Sequence, residues 1–281
     1  MLDEQRKGVR ILNFYGLLGE KLSHSISPMI HNKIFSLLNI DGAYKIFEVE
    51  KNNLSKFTES LKVLKIKGCN VTIPYKEDIM KYLDEISPEA KKIKAINTIL
   101  LKDNKLYGFN SDYYGFNSIL VRNNIEVNDK IAIILGTGGA SKAAVTLLLD
   151  RGIKKIYLVS RSKKSIPFVE DIKIEYRTYE DIGNVKGDIL INATPVGMYP
   201  NVDNNPVDEK IINNFDVLID LIYNPRETKF LQCGKRLNKK VCGGLEMLLG
   251  QAIKSSEIWH DISINPDIQE KLYSYINEEF K

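Results

Sequence analysis

The feature that most constrains the fold is an apolar segment, residues 131–135, followed directly by the glycine-rich stretch Gly136-Thr137-Gly138-Gly139-Ala140. A short continuous apolar run is typical of a strand that is buried on both faces of a parallel sheet. The glycines allow a tight turn into a helix, predicted to run through Leu149, whose exposed N–H groups suit a pyrophosphate. The spacing departs from G-x-G-x-x-G, so a tight turn without a ligand is the alternative interpretation.

Strands and helices alternate through the rest of the chain, which predicts an α/β protein with a doubly wound parallel sheet. At 281 residues two domains are expected. The predicted strands are residues 11–18, 44–49, 68–73, 131–135, 155–160, 189–192 and 217–221, with a hairpin of residues 96–102 and 105–108. The predicted helices are residues 28–38, 53–64, 77–86, 113–123, 230–237, 250–259 and 266–278.

The end of the strand at residues 155–160 discriminates between nucleotide cofactors. An NAD site usually carries a carboxylate there, whereas this chain has Ser160-Arg161-Ser162 followed by Lys163 and Lys164. A guanidinium can grip a 2′-phosphate and stack on adenine, and serine hydroxyls add neutral donors. NADP(H) is therefore the predicted cofactor, and a solvated basic turn is the alternative.

Two segments of the N-terminal half carry candidate substrate-binding groups. Ser25 and Ser27 lie beside a predicted helix start, where two hydroxyls form a natural carboxylate site, although N-capping by Ser27 is an equally good reading. Lys76 is the best catalytic candidate, because reduction of a carbonyl leaves an alkoxide that an ammonium can stabilise and protonate. Asp112 could hold that ammonium and bind a substrate hydroxyl. In isolation, the sequence around Lys76 and Asp112 favours ordinary surface residues over catalytic ones, and we assign no chemistry to His24 or His31.

Composition narrows the class of protein. A net charge of +4 is too balanced to predict a nucleic-acid partner. The three cysteines and three histidines show no metal-ligand spacing, so no metal is expected, and reduced thiols are expected of a cytoplasmic protein. The charged N-terminus lacks the apolar core of a signal peptide, and no apolar run is long enough for a membrane helix.

Taken together, the motifs resemble those of the shikimate dehydrogenase family, in the same order and over essentially the whole chain. They are S-x-S-P at residues 25–28 followed by His31-Asn32, N-V-T-x-P-x-K at 70–76, A-x-N-T at 95–98, N-[ST]-D-x-x-G at 110–115, G-x-G-G-A at 136–140, N-A-T-x-x-G-M at 192–198, D-x-x-Y-x-P-x-x-T at 220–228 and G-L-x-M-L-x-x-Q-A at 244–252. Each motif alone is weak, but their succession is specific.

The resemblance implies a reversible, NADP-dependent reduction of 3-dehydroshikimate to shikimate, with Lys76 as the acid–base group. It implies that Ser25 and Ser27 bind the substrate carboxylate, and that the substrate hydroxyls and ring are held by Thr72, Asn97, Asp112, Tyr223 and Gln251. It further implies that residues 136–140 cradle the pyrophosphate, that Ser160, Arg161 and Ser162 bind the 2′-phosphate end, and that Thr194, Leu221 and Gly244 line the nicotinamide side. The implied substrate domain comprises residues 1–112 and 245–281, with the C-terminal helices returning to it. The implied NADP domain comprises residues 113–244, and we expect a monomer or homodimer.

Two departures from the family pattern bear on these expectations. Lys94 replaces the small residue, usually glycine, that precedes A-x-N-T, and Ser160 and Ser165 replace an asparagine and a second basic residue. The alternatives are a quinate/shikimate dehydrogenase that uses NAD or NADP, against which the lack of an acidic residue at Ser160 argues, and a non-catalytic NADP-binding regulator. The regulator should have lost Lys76 or Asp112, and both are present.

Overall fold

The computed structural model describes residues 12–22, 25–162 and 171–279, and the chain divides into two compact units. The first unit comprises residues up to 90, residues 96–109 and residues from 252 onward. The second unit comprises residues 91–95 and 110–251. The domain boundaries implied by the family resemblance, at residues 112 and 245, stay a prediction.

The first unit is built on a six-stranded mixed sheet with the order β2-β1-β3-β5-β6-β4. Its strands are β1 (Asn13–Gly19), β2 (Gly42–Glu48), β3 (Gly68–Val71), β4 (Glu85–Ile86), β5 (Thr98–Lys102) and β6 (Lys105–Phe109). Helices α1 (Ser27–Leu37) and α2 (Leu54–Val63) belong to this unit, and α3 (Pro88–Ile93) begins in it. Strand β1 pairs in parallel with β2 and β3, whereas β3, β5 and β6 pair antiparallel. The carboxyl ends of β1 and β3 therefore meet the amino end of β5 at one edge of this sheet.

The second unit contains a six-stranded sheet with the order β12-β11-β10-β7-β8-β9, in which every pair is parallel. Its strands are β7 (Ile131–Leu135), β8 (Lys155–Ser160), β9 (Ile174–Thr178), β10 (Ile189–Asn192), β11 (Val217–Asp220) and β12 (Lys240–Cys242). Its helices are α4 (Asp112–Arg122), α5 (Gly139–Asp150), α6 (Glu209–Ile212) and α7 (Lys229–Arg236). Helix α8 (Leu245–His260) begins in this unit and ends in the first, where α9 (Pro266–Glu279) follows.

The predicted burial of β7 on both faces is confirmed. Ala132 and Ile134 pack into one hydrophobic cluster, whereas Ile133 and Leu135 pack into a second cluster, and all four side chains are buried. Alternate side chains of a strand point to opposite faces, so β7 has a core on each side. The strand order reverses between β7 and β10, which is the point where doubly wound sheets bind their ligands.

Most predicted elements agree with the structure within one to three residues, but the helix predicted at residues 77–86 is wrong. Residues Asp78–Tyr82 form only a short 3-10 turn, and Glu85–Ile86 pair with β6 as a strand. Asp84 fixes this change of conformation, since its carboxylate accepts a hydrogen bond of 2.7 Å from the Leu106 N–H. Ser87 precedes a proline, which also disfavours a helix there. Helix α8 starts five residues earlier than predicted, and the short elements β9, β12, α3 and α6 were not predicted.

Candidate active site

Ser25 and Ser27 form a pair of hydroxyls at the start of α1. The Ser25 hydroxyl donates to the Ser27 hydroxyl at 3.2 Å, and the Ser27 N–H donates to Ser25 Oγ at 3.3 Å. Ser27 is the first residue of α1, and among the described residues no side chain caps this helix, so N-capping by Ser27 is wrong. Both side chains are half-buried at the N-terminus of α1, whose positive end is suited to an anion. His24 lies outside the described residues.

Thr72 and Asn97 come from neighbouring strands of the first sheet. The Thr72 N–H donates to Leu18 O at 2.9 Å, which continues the pairing of β3 with β1. On the other side of β3, the Val71 N–H donates to Asn97 O, also at 2.9 Å. The structure therefore brings these two predicted substrate residues to the same edge as the serine pair, with Asn97 almost fully buried.

The Lys76 main chain is tied to the segment that carries Asn97. Ile96 donates its N–H to Lys76 O at 2.7 Å. The preceding residue, Tyr75, is fully buried, and its hydroxyl donates to Val49 O. The Lys76 side chain stays half-buried at the surface of this anchored loop. A lysine held at its backbone with a reachable ammonium is suited to proton transfer.

His31 is packed in the interior of the first unit, as expected of a histidine with no role in the chemistry. Its ring is stacked on Tyr44 with centroids 4.3 Å apart and an interplanar angle of 3°. Burial, and secondarily the charge of His260, lowers the pKa of His31 to about 3. The imidazole is therefore neutral at physiological pH.

Asp112 and Gln251 lie on two closely packed helices of the second unit. Asp112 is the buried first residue of α4, and Gly115 follows one turn later. A Cβ atom at Gly115 would lie 2.5 Å from Met247 O and 3.2 Å from Gln251 Cβ, so no larger residue fits. The Gly115 contact thus sets α4 against the start of α8 and brings Gln251 within a turn of Asp112.

The glycine-rich loop has the geometry of a nucleotide site. Gly136 ends β7 with φ of +102°, and a Cβ atom there would lie 2.9 Å from Ala193 O. Gly138 precedes the first turn of α5 with open space where a Cβ would be, and among the described residues no side chain caps this helix. Thr137 is half-buried between them. The chain thus presents uncapped N–H groups of α5 at the reversal point of the sheet, as a pyrophosphate requires.

The three residues predicted to line the nicotinamide side lie at adjacent strand ends. Thr194 follows β10, and its hydroxyl and N–H both donate to Asn192 Oδ1, at 2.7 and 3.1 Å. Leu221 follows β11 and donates its N–H to Asn192 O at 3.0 Å. Gly244 follows β12, and a Cβ there would lie 2.3 Å from Leu221 O. Tyr223 lies two residues beyond Leu221, half-buried, and burial raises its pKa.

Asp220 organises these strand ends, although the sequence pointed to it only as a motif letter. Its carboxylate accepts from Asn192 Nδ2 at 3.1 Å, from the Ile222 N–H at 3.1 Å and from the Thr228 hydroxyl at 2.6 Å. Burial raises the pKa of Asp220 to about 6 despite these three donors. Asp220 therefore links the end of β10 to the segment after β11 through buried hydrogen bonds.

Ser160, Arg161 and Ser162 form a turn at the end of β8. The Ser160 hydroxyl donates to Ser162 O at 2.6 Å, and the side chains of Arg161 and Ser162 are exposed. Lys163, Lys164 and Ser165 lie outside the described residues. Because Arg161 follows a strand adjacent to β7, its cation lies on the same edge as the glycine-rich loop.

The pairing of Lys76 with Asp112 stays a prediction, because the two residues belong to different units. Over the described ranges, no group of three or more histidine, cysteine or acidic side chains could hold a metal ion. The helices of that same part of the chain include none that is long and apolar enough to cross a membrane.

Comparisons with known proteins show the family of this chain. Residues 17–99 match the family described as shikimate dehydrogenase substrate binding domain. The chain is 63% identical over 270 residues to the NADP(+) shikimate dehydrogenase of Clostridium beijerinckii, covering 96% of this chain and 100% of that protein. It is also similar to the crystal structure of shikimate dehydrogenase 1 from Peptoclostridium difficile, with 56% identity, a TM-score of 0.91 and coverage of 95% and 99%. A shikimate dehydrogenase crystallised with NADP+ matches with 35% identity, a TM-score of 0.84 and coverage of 96% of each chain.

Proposed function

The chain belongs to the shikimate dehydrogenase family, and we propose that it catalyses the reversible, NADPH-dependent reduction of 3-dehydroshikimate to shikimate in aromatic amino-acid biosynthesis. One observation carries this proposal. Three predicted substrate residues, Ser25, Thr72 and Asn97, and the predicted catalytic Lys76 lie at one edge of the first sheet, in a chain that is 63% identical to an NADP(+) shikimate dehydrogenase. The activity is that of an oxidoreductase acting on a CH–OH group.

The second unit fits NADP(H). Its glycine-rich loop offers uncapped N–H groups and open space at Gly138 for the pyrophosphate. Arg161, exposed at the end of β8 with serines on both sides, would hold the 2′-phosphate. Thr194, Leu221 and Gly244 would line the nicotinamide side. When bound, the cofactor supplies a hydride for the carbonyl carbon of the substrate.

The substrate is a carboxylic acid with ring hydroxyls, and the chain offers groups for both features. The Ser25 and Ser27 hydroxyls beside the α1 N-terminus would bind the carboxylate. Amides, hydroxyls and a carboxylate would hold the ring oxygens; they are Thr72, Asn97, Asp112, Tyr223 and Gln251. This mixture of donors and acceptors suits a polyol, whose hydroxyls both donate and accept.

Lys76 would act as the general acid in the reduction and as the general base in the reverse reaction. The carbonyl oxygen gains negative charge as the hydride arrives at its carbon, and the Lys76 ammonium would stabilise that charge and then give a proton from Nζ to the oxygen. In the oxidation of shikimate the neutral amine would take the same proton back. We assign Asp112 to a substrate hydroxyl.

The test is the initial rate of NADPH oxidation by the full chain with 3-dehydroshikimate, beside assays with NADH and with quinate plus NAD or NADP. Turnover with NADPH and 3-dehydroshikimate, with little on quinate, is expected. Turnover of quinate with NAD would instead assign the chain to the broader-specificity class. NADPH binding without turnover of any substrate would identify a regulator and overturn the proposal.

The reaction is proposed to take place in the cytoplasm, on a monomer or a homodimer. The cysteines support a reducing compartment, since Cys69, Cys233 and Cys242 are buried as free thiols. Light scattering of the purified chain would determine the oligomeric state, and a mass of either about one or about two chains is expected.

A further inference from the structure

A series of buried hydrogen bonds crosses the first unit and ends on Asn97. The Tyr44 hydroxyl donates to Asn70 Oδ1 at 2.8 Å, and Asn70 Nδ2 donates to Ser255 Oγ at 2.8 Å. Ser255 Oγ lies 2.9 Å from Thr98 Oγ1, and the Thr98 hydroxyl donates to Asn97 Oδ1 at 3.1 Å. All but Asn70 are buried, and Thr98 and Ser255 have no exposed surface. We call this series the Tyr44–Thr98 relay.

The direction of each hydrogen bond in the relay is fixed by the donor and acceptor groups at its two ends. Burial raises the pKa of the Tyr44 phenol well above its usual value, so the hydroxyl stays protonated and donates. Asn70 Oδ1 is the acceptor, which turns Asn70 Nδ2 toward Ser255. The Thr98 hydroxyl donates its single proton to Asn97 Oδ1, which can only accept. Thr98 is therefore the acceptor in its contact with Ser255.

The start of the relay is fixed by helix α1. The Tyr44 ring is stacked on His31, and the Tyr44 N–H donates to Asn32 Oδ1 at 3.2 Å. His31 and Asn32 are the residues that follow the S-x-S-P motif, and neither received a role in the chemistry. Their contacts hold the Tyr44 phenol, which fixes the orientation of the Asn70 amide.

We propose that the Tyr44–Thr98 relay orients the Asn97 side chain so that its Nδ2 amide, and not its Oδ1, holds a substrate oxygen. The two ends of an asparagine amide have nearly the same shape, so packing alone does not choose between them. Turning the amide over would point Nδ2 at the Thr98 hydroxyl, which already accepts from Ser255 and from Asn70 Nδ2 at 3.2 Å. The turned form therefore loses the hydrogen bond from the Thr98 hydroxyl and sets an amide donor against a hydroxyl that already accepts, which is costly. Thr98 is thus a positioning residue; this inference rests on the proposed function.

Two substitutions at Thr98 test the relay. Thr98→Val keeps the shape and removes the hydroxyl, whereas Thr98→Ser keeps the hydroxyl and loses a methyl group. We expect Thr98→Val to raise KM for 3-dehydroshikimate at least tenfold with KM for NADPH unchanged, and Thr98→Ser to stay within threefold of the parent. The matched control is Thr58→Val in α2, which also removes a buried hydroxyl of this unit, one that donates to Ser55 O. It should leave both KM values unchanged.

A double-mutant cycle shows whether Thr98 acts through Asn97. Asn97→Ala should raise KM for 3-dehydroshikimate, and Thr98→Val should add nothing in that background. The relay would be overturned if the increases in KM from the two single substitutions multiplied in the double variant, or if Thr98→Val kept the parent KM. Either result would leave the proposed function intact. Normal KM for Asn97→Ala would overturn both the relay and the assignment of Asn97. A parent chain without any turnover would overturn the proposed function and the relay with it.

Discussion

At the scale of single residues, Lys76 combines a fixed main chain with a half-buried side chain. We expect Lys76→Met, which keeps the length and loses the charge, to lower kcat by about 10²–10⁴-fold, the range typical of a lost acid–base group. KM for 3-dehydroshikimate should change little, because the role is chemical. The control is Lys81→Met, at an exposed lysine of the following 3-10 turn. Near-normal kcat in Lys76→Met would remove Lys76 from the mechanism.

Arg161 is the residue that should distinguish the two nicotinamide cofactors. We expect Arg161→Gln to raise KM for NADPH by about ten- to a hundredfold, since a hydrogen-bonded charge pair contributes about 1.5–3 kcal/mol. KM for NADH should stay the same, because NADH lacks the 2′-phosphate. Lys154→Gln makes the same change of charge at an exposed site before β8 and should leave both values unaltered. Equal losses for the two cofactors in Arg161→Gln would show that Arg161 does not bind the phosphate.

The backbone conformation of Lys94 explains why glycine is usual at this position in the family. Its φ is +58°, in the left-handed region, and its side chain is exposed. Glycine, usual at this position in the family, adopts that conformation without strain. Relieving the strain of a left-handed lysine is worth about 1–2 kcal/mol, and part of this gain is offset because glycine makes the unfolded chain more flexible. Lys94→Gly should therefore raise the free energy of unfolding by about 0.5–1 kcal/mol. Lys91→Gly, inside α3, should do the opposite. A lower melting temperature for Lys94→Gly would contradict this explanation.

At the scale of secondary-structure elements, Asp220 links the ends of β10 and β11 and makes their stability depend on pH. Its pKa rises from about 3.9 in an unfolded chain to about 6 on folding. A raised pKa means that the stability contributed by this group is fully present below about pH 4 and is lost as pH rises through about 6. The unfolding free energy of the parent minus that of Asp220→Asn should therefore fall by about 2 kcal/mol between pH 4.5 and 7.5.

Urea unfolding of the parent and of Asp220→Asn at the two pH values measures this difference. Subtracting the variant removes the titration of the other carboxylates. A matched control is Asp216→Asn, at an exposed carboxylate just before β11. A difference for Asp220 that is constant or rises with pH would mean that the buried carboxylate is not destabilised by its surroundings.

The elements that the sequence predicted well are those whose signal is local. The bounds of strand β7 agree with the prediction at both ends because five consecutive apolar residues are typical of a strand that is buried on both faces. The β5–β6 hairpin agrees because Asp103-Asn104 favours a turn. The helix predicted at residues 77–86 failed because the Asp84 contact with Leu106 acts across 22 residues of chain. Strands β9 and β12 are edge strands that depend on their neighbours for pairing and carry little pattern of their own.

At the scale of the whole molecule, the motif order predicts the site residues, while the contacts that hold them needed the structure. Ser25, Thr72 and Asn97 were named from the sequence, and the sheet brings them to one edge. The hydrogen bond between Thr98 and Ser255 spans 157 positions and has no sequence signature. Likewise, the donors around Asp220 come from the end of β10 and from the segment after β11, and the contact with Asn192 spans 28 positions, so neither the burial nor the raised pKa of Asp220 could be predicted.

The central claim is that this chain reduces 3-dehydroshikimate by direct transfer of hydrogen from NADPH. The most direct measurement is mass spectrometry of the product formed with NADPH that is dideuterated at C4 of the nicotinamide. Shikimate that is one mass unit heavier than the product made with unlabelled NADPH is the predicted result. Unlabelled shikimate, or no shikimate at all, would contradict the account.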